Sequence, residues 1–197
     1  MVVDLLIPLQ GRFLPADHGY GLFAALCKHL PELHQHHDIG VLSTPGVSDF
    51  SGKIALTDHS GIRLRLPVEK IPLVYRLAGK PIVIGMHKVH LGIPQIHPLR
   101  FHPDLRSRIV IIKGYEEPES FLAAANRQLR ALGVNGEPLI PLDRRGRLAR
   151  KTLKIRRFTV VGFTLEIRGL SESESMHLQV QGLGGKRHLG CGIFLPA

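Results

Sequence analysis

The sequence has 197 residues, of which 44% are hydrophobic, so it can bury a core in one large domain or two small ones. Lys and Arg number 26 and Asp and Glu 16, which gives a formal net charge of +10. A field of this sign attracts polyanions, and nucleic acid is the first class of partner to consider. Only two cysteines are present. They form no C-x-x-C pair, which argues against a disulfide framework and a thiolate zinc site.

The N-terminal residues Met1 to Asp4 contain no basic segment before the short apolar run that follows them. No stretch of the chain approaches the roughly 20 apolar residues that a membrane-spanning helix needs. We therefore expect an unprocessed cytoplasmic protein that makes no membrane contact.

The first half of the chain predicts the element order βαββαβ. A β-branched, leucine-rich run over 2–9 predicts a buried strand. Apolar residues at three- and four-residue spacing predict a helix from Gly19 to Leu33, with a bend at Pro31. After it we predict a strand over 39–44, a hairpin of 53–57 with 61–66, a short helix over 68–78 and a strand over 81–90.

The second half of the chain repeats this order. It predicts a strand over 107–113, a helix over 117–132, paired strands over 151–157 and 159–168, a helix from Ser171 to Gln181 and a last strand over 193–195. The helix from Ser171 rests on a capping box with Glu174, although the residues up to Val180 also alternate as in a strand.

Two βαββαβ units predict an α+β fold of two tandem ferredoxin-like, RRM-like domains. We place the N-terminal domain at 1–92, a Pro- and His-rich linker at 93–103 and the C-terminal domain at 104–197. Ferredoxin-like folds host many unrelated functions, so the fold alone does not name the activity.

Residues 144–157 hold eight cations and no acid: Arg144, Arg145, Arg147, Arg150, Lys151, Lys154, Arg156 and Arg157. Like charges repel one another unless a polyanion neutralises them, and guanidinium groups match phosphate oxygens two at a time. A solvated, charge-rich turn before a strand is the alternative. We favour phosphate binding, and 144–157 is called the basic segment below.

Residues 182–192 hold five glycines around a basic triplet and are called the glycine loop below. Glycine lets the backbone approach a ligand closely and exposes N–H groups to anions. The spacing fits neither G-x-x-x-x-G-K-[ST] nor G-x-G-x-x-G, so no nucleotide triphosphate site is predicted. A turn before a buried last strand is the alternative, but it does not explain the triplet. The residues of this loop predicted to contact nucleic acid are Gly182, Gly184, Gly185, Lys186, Arg187, His188, Gly190 and Gly192.

The glycine loop resembles the shared C-terminal motif of the CRISPR-associated endoribonucleases that cut repeat RNA, within the repeat-associated mysterious protein superfamily. The matching residues are GLGGKRHLGCGIF at 182–194. The likeness is closest to the version found in the myxobacterial subtype of type I CRISPR systems. It extends to LPADHGYGLFAAL at 14–26, LPELH at 30–34, IGVLSTPG at 39–46, VVGF at 160–163 and GLSESES at 169–175. Residues 50–110 carry no motif that we can match.

The resemblance implies two ferredoxin-like domains and cleavage of a repeat hairpin at its base, with the product retained as guide RNA. It implies attack of a ribose 2′-OH on the adjacent phosphate, which leaves a 2′,3′-cyclic phosphate and a 5′-OH without metal or small-molecule cofactor. The partners it implies are the stem-loop repeat RNA and other subunits of a type I effector complex.

The resemblance also places a catalytic histidine on or just after the first helix. His34 in LPELH matches this position best, and His29 is the second candidate. His18 and Tyr20, in the DHGY motif, are expected to orient RNA or assist. Histidine suits proton transfer because its unperturbed pKa, near 6.5, lies close to working pH. The alternative for each histidine is a surface side chain that only caps carbonyl groups at a helix end.

Three other functions are weighed against this one. A metal site is conceivable because His34, His36, His37 and Asp38 are close in sequence, but they lack a helical i, i+4 ligand pair, and no metal is expected. A non-catalytic guide-RNA-binding subunit would use the same basic segment and glycine loop. A cyclic phosphodiesterase or ligase-like enzyme would show two H-x-[ST]-x motifs, and neither occurs.

Overall fold

Residues 1–49 and 51–197 are described in the computed structural model, and they form two units, 1–98 and 99–197. No helix in these described ranges combines the length and the apolar character needed to cross a bilayer. The predicted linker at 93–103 contains a strand, so part of it belongs to the N-terminal unit.

The N-terminal unit contains nine strands and two α-helices among its described residues. In chain order they are β1 (Val2–Gln10), β2 (Phe13–Pro15), α1 (Gly19–His29), β3 (Gly40–Leu42), β4 (Val47–Ser48), β5 (Lys53–Ala55), β6 (Gly61–Pro67), α2 (Ile71–Tyr75), β7 (Pro81–Ile84), β8 (His87–Leu91) and β9 (Gln95–Pro98). Short 3₁₀ turns at Pro31–Gln35 and Val68–Lys70 follow α1 and β6.

The sheet around β1 has six strands, with the path β3-β6-β1-β8-β7 and with β9 also paired to β1. Within it, the strands β3, β6, β1 and β9 are antiparallel neighbours in that order. Helix α1 connects the first strand to the second and α2 connects the third to the fourth, which is the ferredoxin-like arrangement. Alternate residues of β1, Leu5 and Ile7, are fully buried. Leu22 and Leu26 of α1 are buried as well, so the apolar stripe predicted from their spacing forms the core side of the helix.

A buried ion pair joins the two central strands. Asp4 of β1 lies opposite Arg65 of β6, and the Arg65 side chain is fully buried. Its Nε donates to Asp4 Oδ1 over 2.7 Å and its Nη2 to Oδ2 over 2.9 Å, a bidentate geometry. Sequence reasoning did not single out this pair, because an acid and a base 61 residues apart give no periodic signal.

Two elements of the N-terminal unit differ from the prediction. The hairpin of 53–57 with 61–66 is wrong: β6 pairs with β1 and β3, while β5 joins β2 and β4 in a separate sheet. The strand predicted over 81–90 is a hairpin of β7 and β8 that turns at Gly85, whose φ is +63°. The fourth strand of the ferredoxin-like pattern is instead β9, within the predicted linker. Pairing with distant strands placed β6 and β9, which local pattern does not report, whereas the β7–β8 hairpin pairs locally around Gly85.

The C-terminal unit contains β10 (Leu105–Val110), α3 (Pro118–Ala131), β11 (Glu137–Leu139), β12 (Arg150–Ile155), β13 (Phe158–Arg168), α4 (Glu172–Gln181) and β14 (Leu195–Pro196). A 3₁₀ turn, Arg187–Leu189, precedes β14. The sheet order is β11-β13-β10-β14, which is again ferredoxin-like. The predicted α+β fold of two tandem ferredoxin-like domains is therefore confirmed.

Helix α4 begins at the predicted capping box. The Glu174 N–H donates to Ser171 Oγ, and the Ser171 N–H donates to Glu174 Oε2 over 2.9 Å. The hydrogen bond from the Ser171 side chain is the main reason that the pKa of Glu174 falls to about 2. The predicted helix is confirmed, and the alternating residues up to Val180 do not form a strand.

Candidate active site and nucleic-acid interface

His18 is a structural histidine in this fold. It is buried before α1, and its Nδ1–H donates to the carbonyl oxygen of Pro15 over 2.8 Å. Its Nε2 accepts the backbone N–H of Thr44 over 2.9 Å. Because a carbonyl only accepts and an N–H only donates, these contacts require the neutral Nδ1–H tautomer. Both ring nitrogens are occupied, which argues against a proton-transfer role for His18.

His29 ends α1, and its ring contacts the neighbouring hairpin. Its Nε2–H donates to the carbonyl oxygen of Pro81 over 3.0 Å, at the start of β7. This contact leaves Nδ1 as the nitrogen available for chemistry. Tyr20, near the start of α1, is half-buried.

His34 lies in the 3₁₀ turn Pro31–Gln35 and is exposed. The preceding Leu33 is buried and anchors the turn. The Phe23 ring meets the His34 ring edge-on, with centroids 5.2 Å apart and planes at 86°. Among the described residues, neither ring nitrogen of His34 has a hydrogen-bond or ion-pair partner. The imidazole thus packs against Phe23, while neither of its nitrogens has a protein partner in the part of the chain that the structure describes.

An ion pair also holds the 3₁₀ turn Pro31–Gln35. Arg76, directly after α2, donates through Nη1 to Glu32 Oε1 over 2.9 Å. The pKa of Glu32 is lowered, first by a hydrogen bond from its own backbone N–H and then by that from Arg76. In the same region His36 Nδ1 lies 3.9 Å from Asp38 Oδ1. Within 1–49 and 51–197, no group of three or more His, Cys, Asp or Glu side chains could hold a metal ion.

The basic segment begins with a turn that Asp143 organises. Asp143 Oδ1 accepts the N–H of Arg145 over 2.8 Å and that of Arg147 over 3.1 Å, while Gly146 adopts φ +72°. The hydrogen bond from the Arg147 backbone is the main cause of the lowered pKa of Asp143. The turn exposes Arg144, Arg145 and Arg147. A carboxylate just outside the predicted segment therefore shapes it.

A cavity of about 380 Å³ brings four cations together and is called the cationic cavity below. They are Arg106, Arg144, Arg145 and Lys151. Arg106 comes from β10 and was not predicted; it lies opposite Glu166 of β13, with Nη1 3.3 Å from Oε1. Arg106 and Arg108 are both exposed because side chains alternate along β10. The sequence contains this alternation, and it could have predicted both exposed cations.

The remaining cations of the basic segment lie farther along β12 and its turn to β13. Arg150 and Lys154 are exposed on β12, whose alternate residue Leu153 is buried. Arg156 has φ +53° in the turn, next to exposed Arg157.

The glycine loop is packed against its own unit. A Cβ on Gly192 would collide with the carbonyl oxygen of Leu183, one on Gly182 with that of Gly192, and one on Gly184 with that of Ile111. Gly182, Gly190 and Gly192 are buried, so the predicted RNA contacts that are accessible in the loop lie at its other residues. These glycines fit the loop to neighbouring backbone instead.

The exposed part of the loop is short. Gly184, Gly185 and Lys186 are exposed, and a Cβ on Gly185 would meet nothing within 4 Å. Arg187 turns back, and its Nη1 donates to the Gln181 carbonyl oxygen over 2.6 Å at the end of α4. His188 is half-buried. Of the basic triplet, Lys186 is therefore the exposed cation.

Comparison with known proteins identifies the family. A family model described as Cas6 Crispr matches residues 3–197. The chain belongs to the Cas6 family. The CRISPR-associated endonuclease Cas6 of Myxococcus xanthus (strain DK1622) is 43% identical over 194 residues, which are 98% of this chain and 81% of that protein. The predicted family and the predicted endoribonuclease activity are therefore confirmed.

Solved structures share the fold of this Cas6 family chain. A structure titled CRISPR associated protein Cas6 matches with a TM-score of 0.69 at 13% identity and covers 100% of both chains. Thermus thermophilus Cse3, bound to an RNA representing a pre-cleavage complex, matches with a TM-score of 0.52 at 12% identity over 98% of each chain. At such identities the likeness concerns the fold alone.

The candidate site residues predicted from the sequence lie in both units. The N-terminal unit carries the candidate histidines His18, His29 and His34, and of these three only His34 has no partner at either ring nitrogen among the described residues. The C-terminal unit carries the cationic cavity and the exposed apex of the glycine loop.

Proposed function

We propose that this chain cleaves CRISPR repeat transcripts at the base of a stem-loop to give guide RNAs, by a metal-independent reaction. The ribose 2′-OH attacks the adjacent phosphorus, the bond to the 5′ oxygen breaks, and the products are a 2′,3′-cyclic phosphate and a 5′-OH. The observation that carries this proposal is His34, whose ring is held against Phe23 while its nitrogens have no protein partner in the described ranges.

The reaction needs a group that removes the 2′-OH proton and a group that protonates the departing 5′ oxygen. An imidazole can perform either transfer near neutral pH. His34 is the proposed proton-transfer residue, and His29 is the second candidate because its Nε2 is engaged with Pro81. Tyr20 keeps the assisting role expected from the sequence. His18 is assigned to the fold, since both its nitrogens are hydrogen-bonded.

The proposed RNA contacts are the cationic cavity, the exposed cations of the basic segment and Lys186. Guanidinium groups around the cavity suit phosphate oxygens, and developing charge on the phosphorane is stabilised by such cations. The RNA-bound state of the Thermus protein supports an RNA partner for this fold. Other subunits of a type I effector complex remain part of the proposal.

Single-turnover cleavage of repeat RNA in EDTA tests the assignment. His34→Ala should slow cleavage by about 10²–10⁴-fold, the usual contribution of general acid–base catalysis, and leave the RNA dissociation constant nearly unchanged. His29→Ala and the exposed His59→Ala serve as the rival candidate and the control. Full activity of His34→Ala with loss in His29→Ala would move the role to His29.

A further inference from the structure

A second cavity, of about 530 Å³, opens beside the basic segment and is called the apolar cavity below. Its lining includes the apolar residues Pro118, Leu148 and Phe163, of which Phe163 is fully buried, so Leu148 and Pro118 supply the accessible apolar surface. Its polar groups include the side chains of Arg147, Arg150 and Thr152. The volume lies within the range of roughly 300–1,000 Å³ that is typical of ligand pockets. The cavity therefore combines apolar walls with a cationic rim.

Asp143 also lines this cavity but does not cancel its charge. Its Oδ1 already accepts two backbone N–H groups, and its Oδ2 lies 3.5 Å from the Arg147 guanidinium. In the described ranges Arg150 has no acid within ion-pair distance. An anionic group at the rim would therefore meet Arg150 without competition from a carboxylate.

Leu148 is an exposed leucine inside a run of cations. It is 43% exposed at the apolar cavity and is bridged through its backbone to Leu142, which is 64% exposed at the cationic cavity. Covering an exposed leucine is favourable, so a ligand with an apolar surface gains at this point. A ligand that covers Leu148 and also pairs with Arg150 must carry an apolar face and a negative charge.

We propose that the apolar cavity receives one unpaired base of the bound RNA, with the adjacent phosphate against Arg150. The inference rests on the proposed function, which supplies the RNA. An unpaired nucleotide joins flat ring faces to a phosphate, whereas a base inside a duplex has its faces stacked. Apolar walls recognise ring faces more than hydrogen-bonding edges. The cavity therefore senses whether an unpaired base is present more than which base it is.

Coupling between Leu148 and one base of the RNA tests this proposal. A set of repeat RNAs, each with an abasic residue at a different unpaired position, is titrated against the wild type, Leu148→Ser and Leu142→Ser. The two variants make the same change at exposed, bridged leucines, so both should keep the wild-type unfolding midpoint. Only Leu148 lines the apolar cavity.

At one position the abasic residue should weaken wild-type binding roughly fivefold or more, the usual effect of losing a stacked base. Leu148→Ser should weaken binding of the intact RNA but should not weaken binding of that abasic RNA any further. Any effect of Leu142→Ser should instead be the same on the intact and the abasic RNA, that is, additive with the loss of the base. Normal binding and cleavage with no position coupled to Leu148 would overturn this inference alone. Repeat RNA that the wild type neither binds nor cuts would overturn the proposed function and this inference with it.

Discussion

At the residue scale, the histidines near the first helix are separated by their hydrogen-bonding partners rather than by their place in the sequence. His18 and His34 both fit the region expected for catalysis. His18 is buried with both ring nitrogens engaged, whereas His34 is exposed and supported through its ring. A sequence gives the residue type and its region, but it does not show which nitrogen meets a carbonyl oxygen.

His18→Ala should lower the free energy of unfolding by about 1–3 kcal/mol, because it leaves the buried Thr44 N–H without an acceptor. Chemical denaturation measures this change. His34→Ala is the control and should stay within about 0.5 kcal/mol of the wild type, as exposed substitutions usually do. Equal stability of the two variants would contradict the structural role of His18.

At the element scale, the 3₁₀ turn that carries His34 is fixed by contacts from both helices of its unit. Phe23 of α1 supports the His34 ring, and Arg76 after α2 holds Glu32. Leu33 between them is buried in the core. The position of His34 therefore depends on long-range contacts that the local pattern LPELH does not encode.

Arg76→Ala should loosen this turn and slow single-turnover cleavage by a factor of a few, because an exposed ion pair contributes modestly. The NMR signals of the His34 ring, shifted by the Phe23 ring current, should move toward solvent-exposed values. The charge-swapped variant Glu32→Arg with Arg76→Glu should restore both readouts. Lys80→Ala, an exposed cation nearby, is the control. His34 signals unchanged in Arg76→Ala would show that the pair does not position the ring.

The elements that could be predicted are those whose signal is local. The spacing in α1, the helix predicted over 117–132 and the capping box of α4 lie within single elements, and all three are confirmed. Pairing of β6 with β1 and the placement of β9 depend on distant partners, and there the prediction was wrong. In the glycine loop, Gly184 and Gly192 pack against the backbone of Ile111 and Leu183, contacts that the sequence did not show, and the RNA contacts of the loop stay a prediction.

At the scale of the whole molecule, part of the net charge of +10 is concentrated around the cationic cavity. Four cations surround the cationic cavity, and the acids nearest to it, Asp143 and Glu166, are occupied by hydrogen bonds or ion pairs within the unit. The basic surface therefore keeps charge that a polyanion can neutralise. RNA affinity should fall steeply as salt rises, since each neutralised phosphate releases counterions.

Replacing Arg144 and Arg145 together with Ala should weaken RNA binding and flatten the slope of log K against log salt by about 1.4–1.8. Fluorescence anisotropy over a salt series measures the slope. The control variant, Lys70→Ala with Lys80→Ala, removes the same charge from the N-terminal unit. A slope that the Arg144, Arg145 variant leaves unchanged would indicate that these two cations contact no phosphate.

The central claim is that the RNA supplies its own nucleophile and that no metal ion takes part. Its most direct test is cleavage, in excess EDTA, of repeat RNA that carries 2′-deoxyribose only at the scissile nucleotide, beside the all-ribose RNA. The account predicts that the protein binds both RNAs with similar affinity, cuts the all-ribose RNA to a 2′,3′-cyclic phosphate and leaves the deoxy RNA intact. Cleavage of the deoxy RNA, or loss of all cleavage in EDTA, would contradict it.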